Sequence, residues 1–101
     1  MRTIVFFDLP VVSNSDKKKY IQFRKNLINE GFIMMQNSVY SKLVLNTQQT
    51  ILLKSRIRKF SPNKGIIQIL TLTESQYNSM EYIIGNSNSN VISSEERMVV
   101  L

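Results

Sequence analysis

Apolar and polar residues alternate in blocks along the chain, and each block has the period of one element. Arg2 to Asp8 (RTIVFFD) is an almost unbroken apolar run with β-branched and aromatic residues, bounded by Pro10. It predicts a strand buried on both faces. Ser13-x-x-Asp16 has capping-box spacing with Asp in place of Glu, and behind it Tyr20, Phe23, Leu27 and Ile28 fall on one helical face until Gly31 supplies a stop. Phe32 to Met35 and Val39 to Leu45 predict two short strands around Gln36-Asn37-Ser38, either a tight hairpin or one bulged strand, with the hairpin preferred. Asn46 or Thr47 can cap a second helix with Leu53, Ile57 and Phe60 inside, ended by Ser61-Pro62. Gly65 turns the chain into Ile66 to Thr73 (IIQILTLT), apolar on both sides. A helical turn around Glu74 to Asn78 and a brief edge strand over Glu81 to Ile84 follow.

From Gly85 to Arg97 the chain is rich in Asn and Ser, which cannot build a core and reads as a flexible connector. Met98, Val99, Val100 and Leu101 are mostly apolar again, and a terminal apolar strand on a polar tether is expected to add to a sheet edge, such as that of another chain. The organisation is therefore a domain over 1–84 and a tether with a docking strand over 85–101. Strand, helix, strand, strand, helix, strand is the order of an α+β, ferredoxin-like βαββαβ fold, with both helices on one face of an antiparallel sheet and the C-terminal strand as an addition. The other face then needs a cover, and a two-fold homodimer is the commonest one.

Composition narrows the chemistry. A chain of 101 residues with 43% apolar content fits one compact domain. With no cysteine there is no disulfide framework or thiolate metal site, and with no histidine there is no Ser-His-Asp triad or imidazole base. Seven carboxylates remain for hard-metal chemistry. No wholly apolar run is longer than the four residues Ile4 to Phe7, far short of the roughly 20 residues of a membrane span, so a soluble cytoplasmic protein with no membrane partner is expected. Thirteen Lys and Arg give a net charge of +6, a field that favours polyanions.

Three segments resemble the CRISPR-associated protein two family: Phe6-Phe7-Asp8-Leu9-Pro10, then Phe23-Arg24-Lys25 through Leu27 to Glu30-Gly31-Phe32, then Gln36-x-Ser38-Val39-Tyr40-Ser41-Lys42-Leu43. Lys64-Gly65, Leu72-Thr73-Glu74-x-Gln76 and Glu96-Arg97-Met98-Val99-Val100 continue the likeness, most nearly to its type II-A branch. The resemblance implies a ferredoxin-like dimer that bridges two dimers of the CRISPR integrase subunit, holds prespacer duplex DNA and serves its insertion at the leader end of a repeat array. Transesterification would then belong to the integrase. The family is also described as a metal-dependent endonuclease of RNA or duplex DNA, with the carboxylate that ends the first strand as magnesium ligand; here that is Asp8.

Asp8 stands where a buried strand emerges into a loop. Mg²⁺ keeps several waters and needs only one or two carboxylates, so two Asp8 side chains meeting near a dimer axis could hold one ion and activate water. The alternative for Asp8 is an Asx-type turn before Pro10. With no second carboxylate clearly placed to help, DNA scaffolding ranks above catalysis. Ser13 to Lys19 joins a polar loop to Lys17, Lys18 and Lys19 at a helix start, where such lysines oppose the macrodipole and suit phosphates, although a solvated face is the ordinary meaning of such a run. Arg24, Lys25, Arg56, Arg58, Lys59 and Lys64 are further phosphate candidates. Tyr20, Phe23 and Phe60 are assigned to the core by their spacing. The RNA-recognition signature lacks its Gly-aromatic core, and no Gly-rich phosphate loop supports a small-molecule module.

Overall fold

The computed structural model describes residues 1–85. Their elements are β1 (Arg2–Asp8), α1 (Asn14–Asn29), β2 (Ile33–Gln36), β3 (Val39–Leu43), α2 (Thr47–Phe60), β4 (Ile66–Leu72) and α3 (Glu74–Asn78). The sheet is antiparallel with order β2-β3-β1-β4, which is the ferredoxin-like arrangement. The expected docking strand, Met98 to Leu101, lies outside the described residues.

Register assigns the two faces of the sheet. Val5 pairs with Tyr40 on one side and Ile69 on the other, and these residues join Phe7, Phe23, Leu27, Leu53 and Ile57 in the core beneath the helices. Phe7 is the hub, with ring centroids 5.0 Å from Phe23, 5.7 Å from Tyr40 and 5.9 Å from Tyr20. Each such fully buried side chain contributes about 1.5–3 kcal/mol. Ile4 pairs with Ser41 and Leu70, and Phe6 with Val39 and Gln68, so the even-numbered side of β1 belongs to the opposite face. There Ile4 is buried while Ile33, Leu43, Ile66 and Leu70 remain 47% to 62% exposed.

The helices begin as their sequences dictate. Ser13 and Asp16 form a reciprocal capping box, and Asn46 caps α2 by accepting the Gln49 amide. No basic residue occupies the last turn of α1, and Lys42 of β3 supplies the missing positive charge by donating to the Glu30 carbonyl.

Three expectations need correction. Glu81 to Ile84 forms no strand: with Ile83 and Ile84 each 91% exposed, nothing among the described residues offers this segment a ladder or a cover. Ile28 is half exposed instead of lying on the inner face, because it sits about 100° around the helix from Leu27, beyond the stripe that meets the sheet. The strand expected through Leu45 stops at Leu43, since the chain must leave the sheet to reach the Asn46 cap. The preferred hairpin is present, and it also carries a register shift between Met34 and Gln36, so the two alternatives coexist.

Candidate nucleic-acid interface and the Asp8 site

α1 and α2 run side by side in opposite directions. That course follows from the strand order and pairing. Arg56 Nε, in the last third of α2, donates to Glu30 Oε1 at 2.9 Å and so reaches the end of α1. Lys19 and Asp16 of α1 gather with Leu9, Pro10, Pro62 and Lys64 around a small cleft. The start of α1 therefore lies beside the end of α2, and the fold brings Lys17, Lys18 and Lys19 to the same end of the molecule as Arg58, Lys59 and Lys64. All six are exposed.

These cations differ in how far they are already neutralised. Arg56 is paired with Glu30, and Lys64 stands 4.0 Å from the largely covered Asp16 carboxylate, at the outer limit of an ion pair. Lys17, Lys18, Lys19, Lys25, Arg58 and Lys59 enter no ion pair among the described residues. Arg24 is a special case: its Nε donates to the buried Tyr40 hydroxyl at 2.7 Å, which orients the guanidinium without cancelling its charge. Lys18 and Lys25 are seven residues apart, so they share the outer side of α1 at a spacing of about 10 Å, roughly three nucleotide steps of a duplex. Ser13 is engaged in the capping box, its hydroxyl accepting from Asp16 N at 3.0 Å and keeping one O–H to offer. The Asp16 carboxylate occupies the helix start, so an anion would meet the lysines before the helix amides.

Sequence reasoning missed the groove between α2 and β4, where Lys54 and Arg58 stand with Lys64 over Ile57, Ile67 and Ile69. Lys54 at four residues before Arg58 was the available signal. It also missed Arg2, which is not a free cation but is bound to Glu74.

Asp8 ends β1 on the open face, paired with Ile66, and its side chain is exposed. Among the described residues it enters no ion pair. Gly65 (φ +90°) passes so near that an ideal Cβ there would lie 2.6 Å from the Asp8 carbonyl oxygen. Phe6, Phe7, Asp8, Ser38, Val39, Ile66 and Gln68 line a depression of about 280 Å³. Its polar lining residues, Asp8, Ser38 and Gln68, carry a carboxylate, a hydroxyl and an amide carbonyl, hard donors of a kind that fits Mg²⁺. No three Asp, Glu, His or Cys side chains gather among the described residues, so Asp8 would be one protomer's single carboxylate to such an ion. When bound, the metal would supply charge neutralisation for a phosphodiester and an activated water.

Comparison with known proteins gives one consistent result. Residues 1–80 match the family described as CRISPR associated protein Cas2. The chain is 53% identical over 102 residues to a CRISPR-associated endoribonuclease Cas2 of Treponema denticola, with both chains covered in full. It is 46% identical over 101 residues to that of Ligilactobacillus salivarius, again over the whole of both. The crystal structure of Streptococcus pyogenes Cas2 at pH 6.5 superimposes with a TM-score of 0.63 at 16% identity, covering 82% of this chain and 99% of that one, which speaks for the fold. No helix among the described residues is long and apolar enough to cross a membrane.

Proposed function

Because this chain belongs to the CRISPR-associated Cas2 family, we propose that it is the small adaptation subunit of a spacer-acquisition complex, a homodimer that holds prespacer duplex DNA and joins two dimers of the CRISPR integrase subunit. The observation that carries the DNA-binding part is the gathering of Lys17, Lys18, Lys19, Arg58, Lys59 and Lys64 at one end of the helical layer, with most of their charge unpaired. Charges left free on one side of a small domain attract a polyanion and release its counterions on contact. None of them is set out for base readout, which suits a partner held for its shape and charge. The sheet's open face supports the dimer, since exposed Ile33, Leu43, Ile66 and Leu70 form an apolar surface that a second copy would cover. Met98 to Leu101 are assigned to docking on a partner's sheet edge.

A second reading has its own support. Relatives carry the name endoribonuclease, and Asp8 presents an exposed carboxylate in a depression with only oxygen donors, so Mg²⁺-dependent cleavage of RNA or DNA phosphodiesters is the alternative activity. In it Asp8 holds the ion, and the basic end of the molecule holds the substrate backbone.

One experiment separates the two. Integration of a labelled duplex into a repeat array is measured with the cognate integrase for wild type, Asp8→Ala and the Lys17, Lys18, Lys19 triple alanine variant. The DNA-holding reading expects Asp8→Ala to integrate normally, while the triple variant fails and its duplex affinity has a salt dependence shallower by about 2–3 log units per log unit of salt. Loss of integration in Asp8→Ala alone, in a folded dimer, would move metal chemistry to the centre.

A further inference from the structure

Ser38 is the one non-glycine residue among those described with a positive φ, 63°, in the left-handed region. The two-residue connection Asn37-Ser38 between β2 and β3 requires that conformation at its second position, where Gly or Asn is the ordinary choice. Asn is present, but one residue too early. Exchanging the two would satisfy the turn at lower cost, since a side chain other than Gly or Asn in this region costs about 1 kcal/mol. A local rule is broken here, and such breaks gather at functional sites.

The position of Ser38 indicates which site. Its carbonyl accepts the Phe7 amide at 3.0 Å, which ties the turn to the last residues of β1. It lines the same depression as Asp8, although the two are separated by α1 and β2 along the chain. Asn37 does not line it.

From these observations we infer that Ser38 is a positioning residue for a divalent cation at Asp8, held in a strained backbone so that its hydroxyl can hold water coordinated to the ion. The inference rests on the second reading above, in which Asp8 is a metal ligand. A site with one carboxylate per protomer leaves most of the shell of Mg²⁺ to water, and that water needs acceptors fixed by the protein. A serine on the wall of the depression that Asp8 also lines brings a hydroxyl to that role, whereas glycine in the same turn would keep the fold and lose the acceptor.

The test uses the full chain and Mn²⁺ as the probe. Free Mn²⁺ is counted by electron paramagnetic resonance during titration of wild type, Ser38→Gly and Asp8→Ala, and the thermal midpoint of each is recorded. Ser38→Gly should keep or raise the midpoint, because glycine accepts a positive φ without strain, while its Mn²⁺ affinity falls about tenfold. Asp8→Ala should lose specific binding. If Ser38→Gly binds within about twofold of wild type while Asp8→Ala does not bind, the role of Ser38 is overturned and the Asp8 reading stands. A lowered midpoint accompanying the lost affinity makes Ser38 a structural residue and overturns the inference. Binding by Asp8→Ala equal to wild type, or no specific binding by wild type at millimolar Mn²⁺, overturns both.

Discussion

Gly65 joins the start of β4 to the end of β1 at a separation no other residue permits. Its φ of +90° lies in the left-handed region, and an added Cβ would meet the Asp8 carbonyl oxygen at 2.6 Å and Leu9 Cδ2 at 2.9 Å. The first of these is backbone and cannot rotate away. Gly65→Ala should therefore destabilise the protein by about 1–3 kcal/mol, read as a lower urea midpoint with unchanged slope. A midpoint equal to wild type would mean that β4 can shift away from β1 at no cost. The sequence marks Gly65 as a turn, but the close approach that makes it irreplaceable depends on the pairing of Asp8 with Ile66. Arg24 gives the same lesson. The sequence offers it as one cation among many, and only packing against the buried Tyr40 hydroxyl fixes its guanidinium.

At the scale of an element, α3 is too short to persist by itself, since nucleating a helix costs more than five residues return. Two local devices hold it: the reciprocal Thr73 and Gln76 capping box, and Arg2, which donates from Nε and Nη2 to both Glu74 oxygens at 3.1 and 2.8 Å and stacks 4.2 Å over Tyr77. The hydrogen bonds from Arg2 hold the Glu74 carboxyl below the ordinary value of 4.5. Its folded-state pKa is depressed, so the stabilisation is present above the ordinary value and disappears as pH falls through the lower, folded one. Urea unfolding between about pH 3 and 6 should show wild type losing its advantage over Arg2→Gln on the acid side, with a constant difference above it. A gap that stays the same at every pH would remove the ion pair from the account. The short helix after β4 is legible in the sequence, but its tie to Arg2, at the far end of the chain order, is not.

At the scale of the whole molecule, the sheet has one face sealed by α1 and α2 and another that keeps Ile33, Leu43, Ile66 and Leu70 at the surface. If a second copy covers that face, Leu70→Glu should give a monomer by sedimentation velocity with wild-type helical circular dichroism. A dimer of unchanged affinity would assign the interface elsewhere. The helical layer carries the complementary property, a positive surface with six exposed Lys and Arg where the start of α1 meets the end of α2. Scaffold and site are thus divided between opposite sides of one sheet, with Asp8 at the end of β1 on the open side.

What the sequence by itself determined is the order of the elements from β1 to α3, because hydrophobic period, capping residues and turn residues act within a few positions of one another. It also determined the division between core aromatics and surface cations, since Phe23 and Leu27 can only be buried if Lys18 and Lys25 are not. The ends of elements and their neighbours were decided by tertiary structure. Glu81 to Ile84 has strand-like residues and, among the described residues, no strand to pair with, and β3 stops early to let α2 begin. The convergence of Asp8, Ser38 and Gln68 on one depression follows from strand order and register. No local pattern encodes these, because a hydrogen-bond ladder joins residues far apart in the chain, and whether a polar side chain is free or engaged depends on what the fold sets beside it.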